Sequence, residues 1–202
     1  MKVLVACEYS GAVRDQFLAM GHDAMSCDLL PSDVPGPHHQ GDVLELLGGG
    51  WDLMIAHPPC TDLAVSGAAH FAEKIADGRQ QKALEFVRQL MSAPIAKIAI
   101  ENPVSVISTK IRKPDQIIHP WQFGHPEQKT TCLWLKGLRP LKPTKNVHQE
   151  MMALPKKERE RLHYLSPGPE RWKQRSKTFS GISAAMAAQW GCEEKPFELE
   201  AA

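Results

Sequence analysis

The sequence predicts an α/β fold, a doubly wound and mostly parallel sheet with helices on both faces. Two observations predict it. Over the first 110 residues, short apolar β-type runs alternate with segments of helical spacing, the signature of right-handed βαβ units. Polar residues then follow directly on four of the predicted strands, at Glu8 to Gly11, at Asp28, at His57 to Cys60 and at Glu101-Asn102. In a doubly wound sheet such groups converge at the carboxyl ends of the strands.

Each element has its own local reason. Val3 to Cys7 reads as a buried strand, and Ala12 to Met20 as a helix through Val13, Phe17 and Met20. Gly21 stops that helix, and Asp23 to Asp28 forms the next strand. Gly41-Asp42-Val43 leads into a short helix that ends at Gly48-Gly49-Gly50. Trp51 to Ala56 is the third strand. A single helix is expected from about Ala72 to Met91, with Ile75, Ala83, Phe86, Val87 and Leu90 on its apolar side. Ile95 to Ile100 is the fourth strand, Cys132 to Leu135 supplies the final sheet edge, and Ile182 to Trp190 is a small Ala-rich helix able to pack closely on the sheet.

With 202 residues, the chain is long enough for one sizeable core and a small appendage. Hydrophobic residues make up 43% and charged residues 23%, which excludes wholesale disorder. No apolar run approaches the roughly 20 residues that span a bilayer, and the first residues read as a strand without a signal-peptide plan. Five scattered cysteines with no Cys-x-x-Cys pair argue against a disulfide scaffold or thiolate zinc site and for a reducing cytoplasm. The net charge of +1 is unevenly spread. Residues 138–178 hold eleven Lys and Arg against four Glu, a net of +7, so the remainder carries −6. This segment suits either a polyanion-facing appendage or a solvated loop.

The strand ends suggest chemistry. Tyr9-Ser10-Gly11 is a small-residue turn before a helix, where a ligand can approach the backbone. Asp28 stands where a carboxylate can accept both hydroxyls of a ribose, and Asp42 where one can accept from an adenine amino group. No Gly-x-Gly-x-x-Gly occurs, which favours a nucleoside over a dinucleotide. Pro58-Pro59 stiffens the loop that presents Cys60, a candidate nucleophile whose thiolate such a place can favour. Glu101, at a buried strand end, is expected to have a raised pKa and to act as a proton donor.

Pro58-Pro59-Cys60 followed by Glu101-Asn102, behind the first-strand turn and Asp28, resembles the DNA (cytosine-5) methyltransferase family. The likeness extends to Pro126-Glu127-Gln128-Lys129-Thr130-Thr131-Cys132-Leu133-Trp134-Leu135-Lys136-Gly137 and to Gly181-Ile182-Ser183, so that the motif order spans about residues 3 to 190. The chain looks like a compact, phage-type version. The resemblance implies a Rossmann-like methyltransferase fold, with a core over 1–137, a short basic target-recognition-like segment over 138–180 and a returning C-terminal helix over 181–202. It implies S-adenosylmethionine with its ribose on Asp28, its adenine amino group near Asp42, and its amino-acid end by Tyr9, Ser10, Gly11 and Ser183, with Pro58 alongside. Cys60 would attack C6 of a cytosine flipped out of DNA while Glu101 holds N3. Asn102, Gln128, Lys129, Lys156 and Lys157 would contact the nucleic acid.

The sequence departs from the family where its two arginines fall on Thr130 and Cys132, and where Thr61 follows the cysteine in place of Gln. About 43 residues separate Gly137 from Gly181, short for a target-recognition domain. Three alternatives stand beside this reading. Amino methylation of adenine or cytosine would use His57-Pro58-Pro59-Cys60 as an acceptor loop. Carboxymethyl transfer from carboxy-S-adenosylmethionine would need an extra cation, for which Arg14, Lys74 and Arg79 qualify. A catalytically silent nucleic-acid or protein-binding module is the third. A metal centre on His38, His39 and His57 is disfavoured, since adjacent histidines in a Pro-Gly loop are usually exposed.

Overall fold

The computed structural model describes residues 1–192; the end of the segment expected over 181–202 lies outside the described residues. Seven strands form one sheet: β1 (Lys2–Ala6), β2 (Asp23–Asp28), β3 (His38–Gln40), β4 (Leu53–Ala56), β5 (Lys97–Pro103), β6 (Gln116–Ile118) and β7 (Thr131–Lys136). Their order is β3-β2-β1-β4-β5-β7-β6. The first five strands run parallel, and β7 alone pairs antiparallel, with β5 on one side and β6 on the other. The doubly wound, mostly parallel α/β architecture is as the sequence predicts.

Burial explains the strand sequences. Val3 to Ala6 and Leu53 to Ala56 lie at the centre with both faces covered, so every side chain is apolar and buried. One face carries Leu4, Ala6, Met54, Ala56, Ile98, Ile100 and Trp134. It packs on α3 (Arg79–Ser92) through Leu84, Val87 and Leu90. The other face carries Val3, Val5, Leu53, Ile55, Ala99 and Leu133 beneath α1 (Arg14–Ala19) and α8 (Ser180–Trp190). Ile182, Met186 and Trp190 of α8 are buried there beside Phe17 of α1. The close packing has a stereochemical cause at Gly181, where a Cβ would stand 1.9 Å from the Phe123 carbonyl oxygen. No described helix is long and apolar enough to cross a membrane.

Three expectations are corrected. The sheet edge is β6, because β7 inserts between β5 and β6 rather than closing the sheet. The helix expected from Ala72 to Met91 is two, α2 (Phe71–Ala76) and α3, broken where Gly78 takes φ +78°. His38 and His39 are not loop residues but form β3, with His38 Nδ1 2.9 Å from Ser26 Oγ. The remaining helices are short: α4 (Ile107–Lys110), α5 (His148–Ala153), α6 (Lys156–Arg159) and α7 (Arg171–Ser176).

Candidate active site

The strand order reverses between β1 and β4, and the polar strand ends surround that point. After β1 the chain turns sharply, with Cys7 at φ +58°. Glu8 is buried, and its carboxylate accepts the Val13 N–H at 2.6 Å and the Arg14 N–H at 3.2 Å. This side chain, which the sequence reading passed over, fills the start of α1. A pyrophosphate at that helix start would have to displace it. The Ser10 hydroxyl donates to Glu8 at 3.4 Å and accepts from Ala12 N–H at 3.3 Å. Gly11, at φ +70°, has no room for a side chain, because Arg14 Nη2 and Val34 Cγ2 would each lie 2.6 Å from its Cβ.

Asp28 and Asp42 form the second part. One oxygen of each accepts a local backbone N–H, from Leu30 and Leu44 respectively, both at 3.0 Å. The second oxygen of each makes no hydrogen bond among the described residues. Both acids push the Cys7 thiol upward in pKa after burial itself, so they bear on the same spot. Ser183 is not brought into this cluster: it is wholly buried on α8, and its hydroxyl donates to Ser180 O at 3.1 Å.

Cys60 lies in the loop after β4, and Glu101 lies two residues before the end of the adjacent β5. The loop turns on Cys60, whose carbonyl accepts Leu63 and Ala64 N–H at 3.0 and 2.8 Å. The buried Lys74 ammonium donates to Thr61 O and lies 3.4 Å from Asp62. Asn102 Nδ2 donates to Pro58 O at 2.8 Å, which ties β5 to the Pro-Pro turn. Glu101 Oε2 meets His57 Nδ1 at 2.9 Å, with both side chains largely buried. His57 Nε2 is buried without a partner, as is Asn102 Oδ1.

The electrostatics overturn two expectations. Cys60 is exposed, yet desolvation by the protein around it first, and then the Glu101 charge, push its thiol up; Lys129 and Arg175 act against them. The thiolate is therefore not favoured at rest. Burial works to raise Glu101 too, but the His57 hydrogen bond and the charges of Lys129 and His57 together hold its carboxyl below the usual range. The resting site pairs a thiol with a carboxylate.

The basic segment contributes more than expected. Lys129 Nζ donates to Arg175 O at 3.0 Å and lies 5.9 Å over the Phe179 ring. Tyr9 OH meets Ser176 Oγ at 3.0 Å and Lys173 O at 3.3 Å, and its ring rests on Trp172 at 5.5 Å. Residues 171–177 thus lie beside the first-strand turn. Arg175, 115 positions after Cys60, has no local signal that could have marked it. Gln128 is exposed, with its N–H on Arg159 O at 2.6 Å, and Lys156 and Lys157 project to solvent on α6. Of the three nominated cations, Arg14 is sealed in the core and Lys74 is committed to the Thr61 turn. Arg79 pairs with Asp77 and Glu73 on the surface. Among the described residues, no three His, Cys, Asp or Glu side chains gather to hold a metal.

Two clefts, of about 300 and 590 Å³, lie elsewhere, one against Met91 and Trp134 and the other against Arg139 and Trp190. Cys60 lines neither of them, so it is the side chains that define this site. No family model and no curated protein matches the chain. Among solved structures it is similar to a prophage-encoded protein of E. coli described as a DNA modification methyltransferase. The two are 17% identical at a TM-score of 0.47; the match covers 76% of this chain and 55% of that one.

Proposed function

We propose that the chain is an S-adenosylmethionine-dependent transferase acting on C5 of cytosine in DNA, with Cys60 as nucleophile and Glu101 as proton carrier. The observation that carries this reading is that a thiol in the loop after β4 lies within electrostatic reach of a carboxylate near the end of the neighbouring β5. The free oxygens of Asp28 and Asp42 suit ribose hydroxyls and an exocyclic amine, so the residues present fit S-adenosylmethionine. When bound, it supplies the electrophilic carbon that C5 takes.

The chain's own residues do the rest. The Cys60 thiol adds across the conjugated system of a flipped cytosine. Its S–H bond breaks, Sγ bonds to C6, and Glu101 carries the released proton to N3. The electron pairs shift so that C5 becomes nucleophilic. Afterwards the C5 proton leaves to solvent, N3 returns its proton through Glu101, and Cys60 departs as it is reprotonated. A thiol beside an ionised carboxyl, the resting state found here, is the right starting point for this addition.

Amino methylation fits less well, because His57 at the acceptor position of that loop is engaged with Glu101 and Cys60 supplies no stacking ring. Lys129, Arg175, Lys156 and Lys157 suit phosphates on the DNA side. Trapping on a 5-fluorocytosine oligonucleotide tests the proposal. Wild type with S-adenosylmethionine should give a covalent adduct that Cys60→Ala does not. No adduct from wild type, on single or double strands and with either the methyl or the carboxymethyl donor, would leave a binding module as the better reading.

A further inference from the structure

The same pocket holds a residue that the family resemblance does not supply. In the resemblance, arginines of the block around β7 back the catalytic glutamate; here those positions are Thr130 and Cys132. Cys132 is buried on the β7 face that packs with Ile98, Ile100 and Trp134. Glu101 follows Ala99 and Leu133 onto the other face. The support for its carboxylate comes instead from the neighbouring strand end. His57 follows Ile55 in the two-residue alternation of β4 and so reaches that same face.

We propose that His57 is the positioning residue for Glu101: its Nδ1–H holds Oε2, leaving Oε1 to face the substrate base. This rests on the cytosine-5 reading of the site. Two features support it beyond the 2.9 Å contact. Glu101 Oε1 makes no hydrogen bond among the described residues and is not sealed from solvent, so one carboxylate oxygen is fixed and the other open. His57 Nε2 is buried and unpartnered. Placing a proton there would bury an unsatisfied N–H, so the ring's proton belongs on Nδ1, where it donates to the carboxylate. A hydrogen bond on one oxygen orients Glu101 and leaves the other free to take the Cys60 proton and pass it to N3.

The groups linked electrostatically to Glu101 come from three directions. His57 from the β4 end and Lys129 from the segment before β7 act on its carboxyl, which in turn acts on Cys60 after β4 and on Cys132 of β7. Arg175 of α7 bears on Cys60. Lys129 is the other group that favours the carboxylate, so the test separates it from His57.

The experiment compares wild type, His57→Ala, His57→Asn and Lys129→Ala. Asn can place an amide N–H where Nδ1–H stands but carries no charge. Single-turnover adduct formation on the 5-fluorocytosine oligonucleotide should fall about 100-fold in His57→Ala, the scale of a misplaced catalytic group. His57→Asn should recover most of that loss. The acid limb of the pH–rate profile should move to higher pH in His57→Ala, because Glu101 loses the hydrogen bond that keeps it ionised, and return towards wild type in His57→Asn. A slow His57→Ala with an unmoved acid limb, or an Asn variant no better than Ala, would overturn the proposal. A 13C titration of the Glu101 carboxyl in the same proteins reads the contact without any turnover. A Glu101 midpoint unchanged by His57→Ala, or moved only by Lys129→Ala, refutes the inference whatever the enzyme does. A midpoint that shifts and is rescued by Asn, in a protein that forms no adduct, refutes the cytosine-5 reading and leaves the His57 contact standing.

Discussion

Replacing Arg14 with Met tests how the loop between β2 and β3 is held. The guanidinium is fully buried and donates to Asp15 at 2.8 Å, to Ser26 and Ser32 hydroxyls at 3.2 Å each, and to Pro35 O at 3.1 Å. Gly11 and Gly36 give it room, since a Cβ at either would stand 2.6 Å from Nη2. Met fills a similar volume but donates nothing. Ser26 keeps His38 and Ser32 keeps the Val34 carbonyl, so the net loss is smaller than four bonds. Losing one partner of a buried, hydrogen-bonded charge typically costs about 3–5 kcal/mol, and the half-exposed Asp15 places this case near the lower end, about 3 kcal/mol. Urea unfolding reads that loss directly. Because residues 32–36 join Asp28 to the strand leading to Asp42, calorimetric titration with S-adenosylmethionine should weaken in parallel. A loss below about 1 kcal/mol, the worth of one ordinary hydrogen bond, with unchanged titration, would show that the guanidinium does not pin the loop.

Asp28→Ala should weaken S-adenosylmethionine binding by about 1–3 kcal/mol, the worth of a charged hydrogen bond, while 5-fluorocytosine trapping at saturating donor survives; calorimetry separates the two. Lys156→Ala with Lys157→Ala should lower DNA affinity for all sequences alike and reduce the slope of log affinity against log salt by up to about two; an unchanged slope would return α6 to a solvated role. Burial pushes the Cys27 thiol up to about 11, helped by Asp28 and Asp42. A raised folded-state value stabilises below the unfolded pKa near 9 and is lost as pH climbs through about 11, so Cys27→Ala should flatten the alkaline fall in unfolding free energy by about 3 kcal/mol. Equal alkaline slopes in the two proteins would refute this.

Much of this was legible before any coordinates. Val3 to Ala6, Asp23 to Asp28 and Leu53 to Ala56 declare themselves because a strand covered on both faces must be apolar along its length or end on a polar group. What escaped was set by partners distant in sequence. Gln116–Ile118 has three residues and no alternation to betray a strand; only the register with Thr131 to Leu133 makes it one. Cys60 and Glu101 were placed by their motif, yet the state of their protons was read in reverse. A strand-end acid is expected to be neutral when burial acts alone, and it was His57 and Lys129 that tipped Glu101 the other way. Likewise nothing in their motifs shows that the Tyr9 hydroxyl meets Ser176 Oγ or that the Ser183 hydroxyl donates to the Ser180 carbonyl.

The insertion of β7 between β5 and β6 also constrains how the chain is made. A ribosome releases β6 before β7, yet among the described residues β7 is the one sheet neighbour of β6, so residues 116–118 must wait for residues 131–136 to join the sheet. Until then the edge of β5, which carries Glu101, offers open backbone donors and acceptors to any other strand. The nascent protein therefore passes through a stage in which its reactive corner is also its most adhesive one. Late, non-local pairing of this kind slows folding, and truncation between residues 118 and 131 should yield a chain that aggregates rather than a smaller soluble domain.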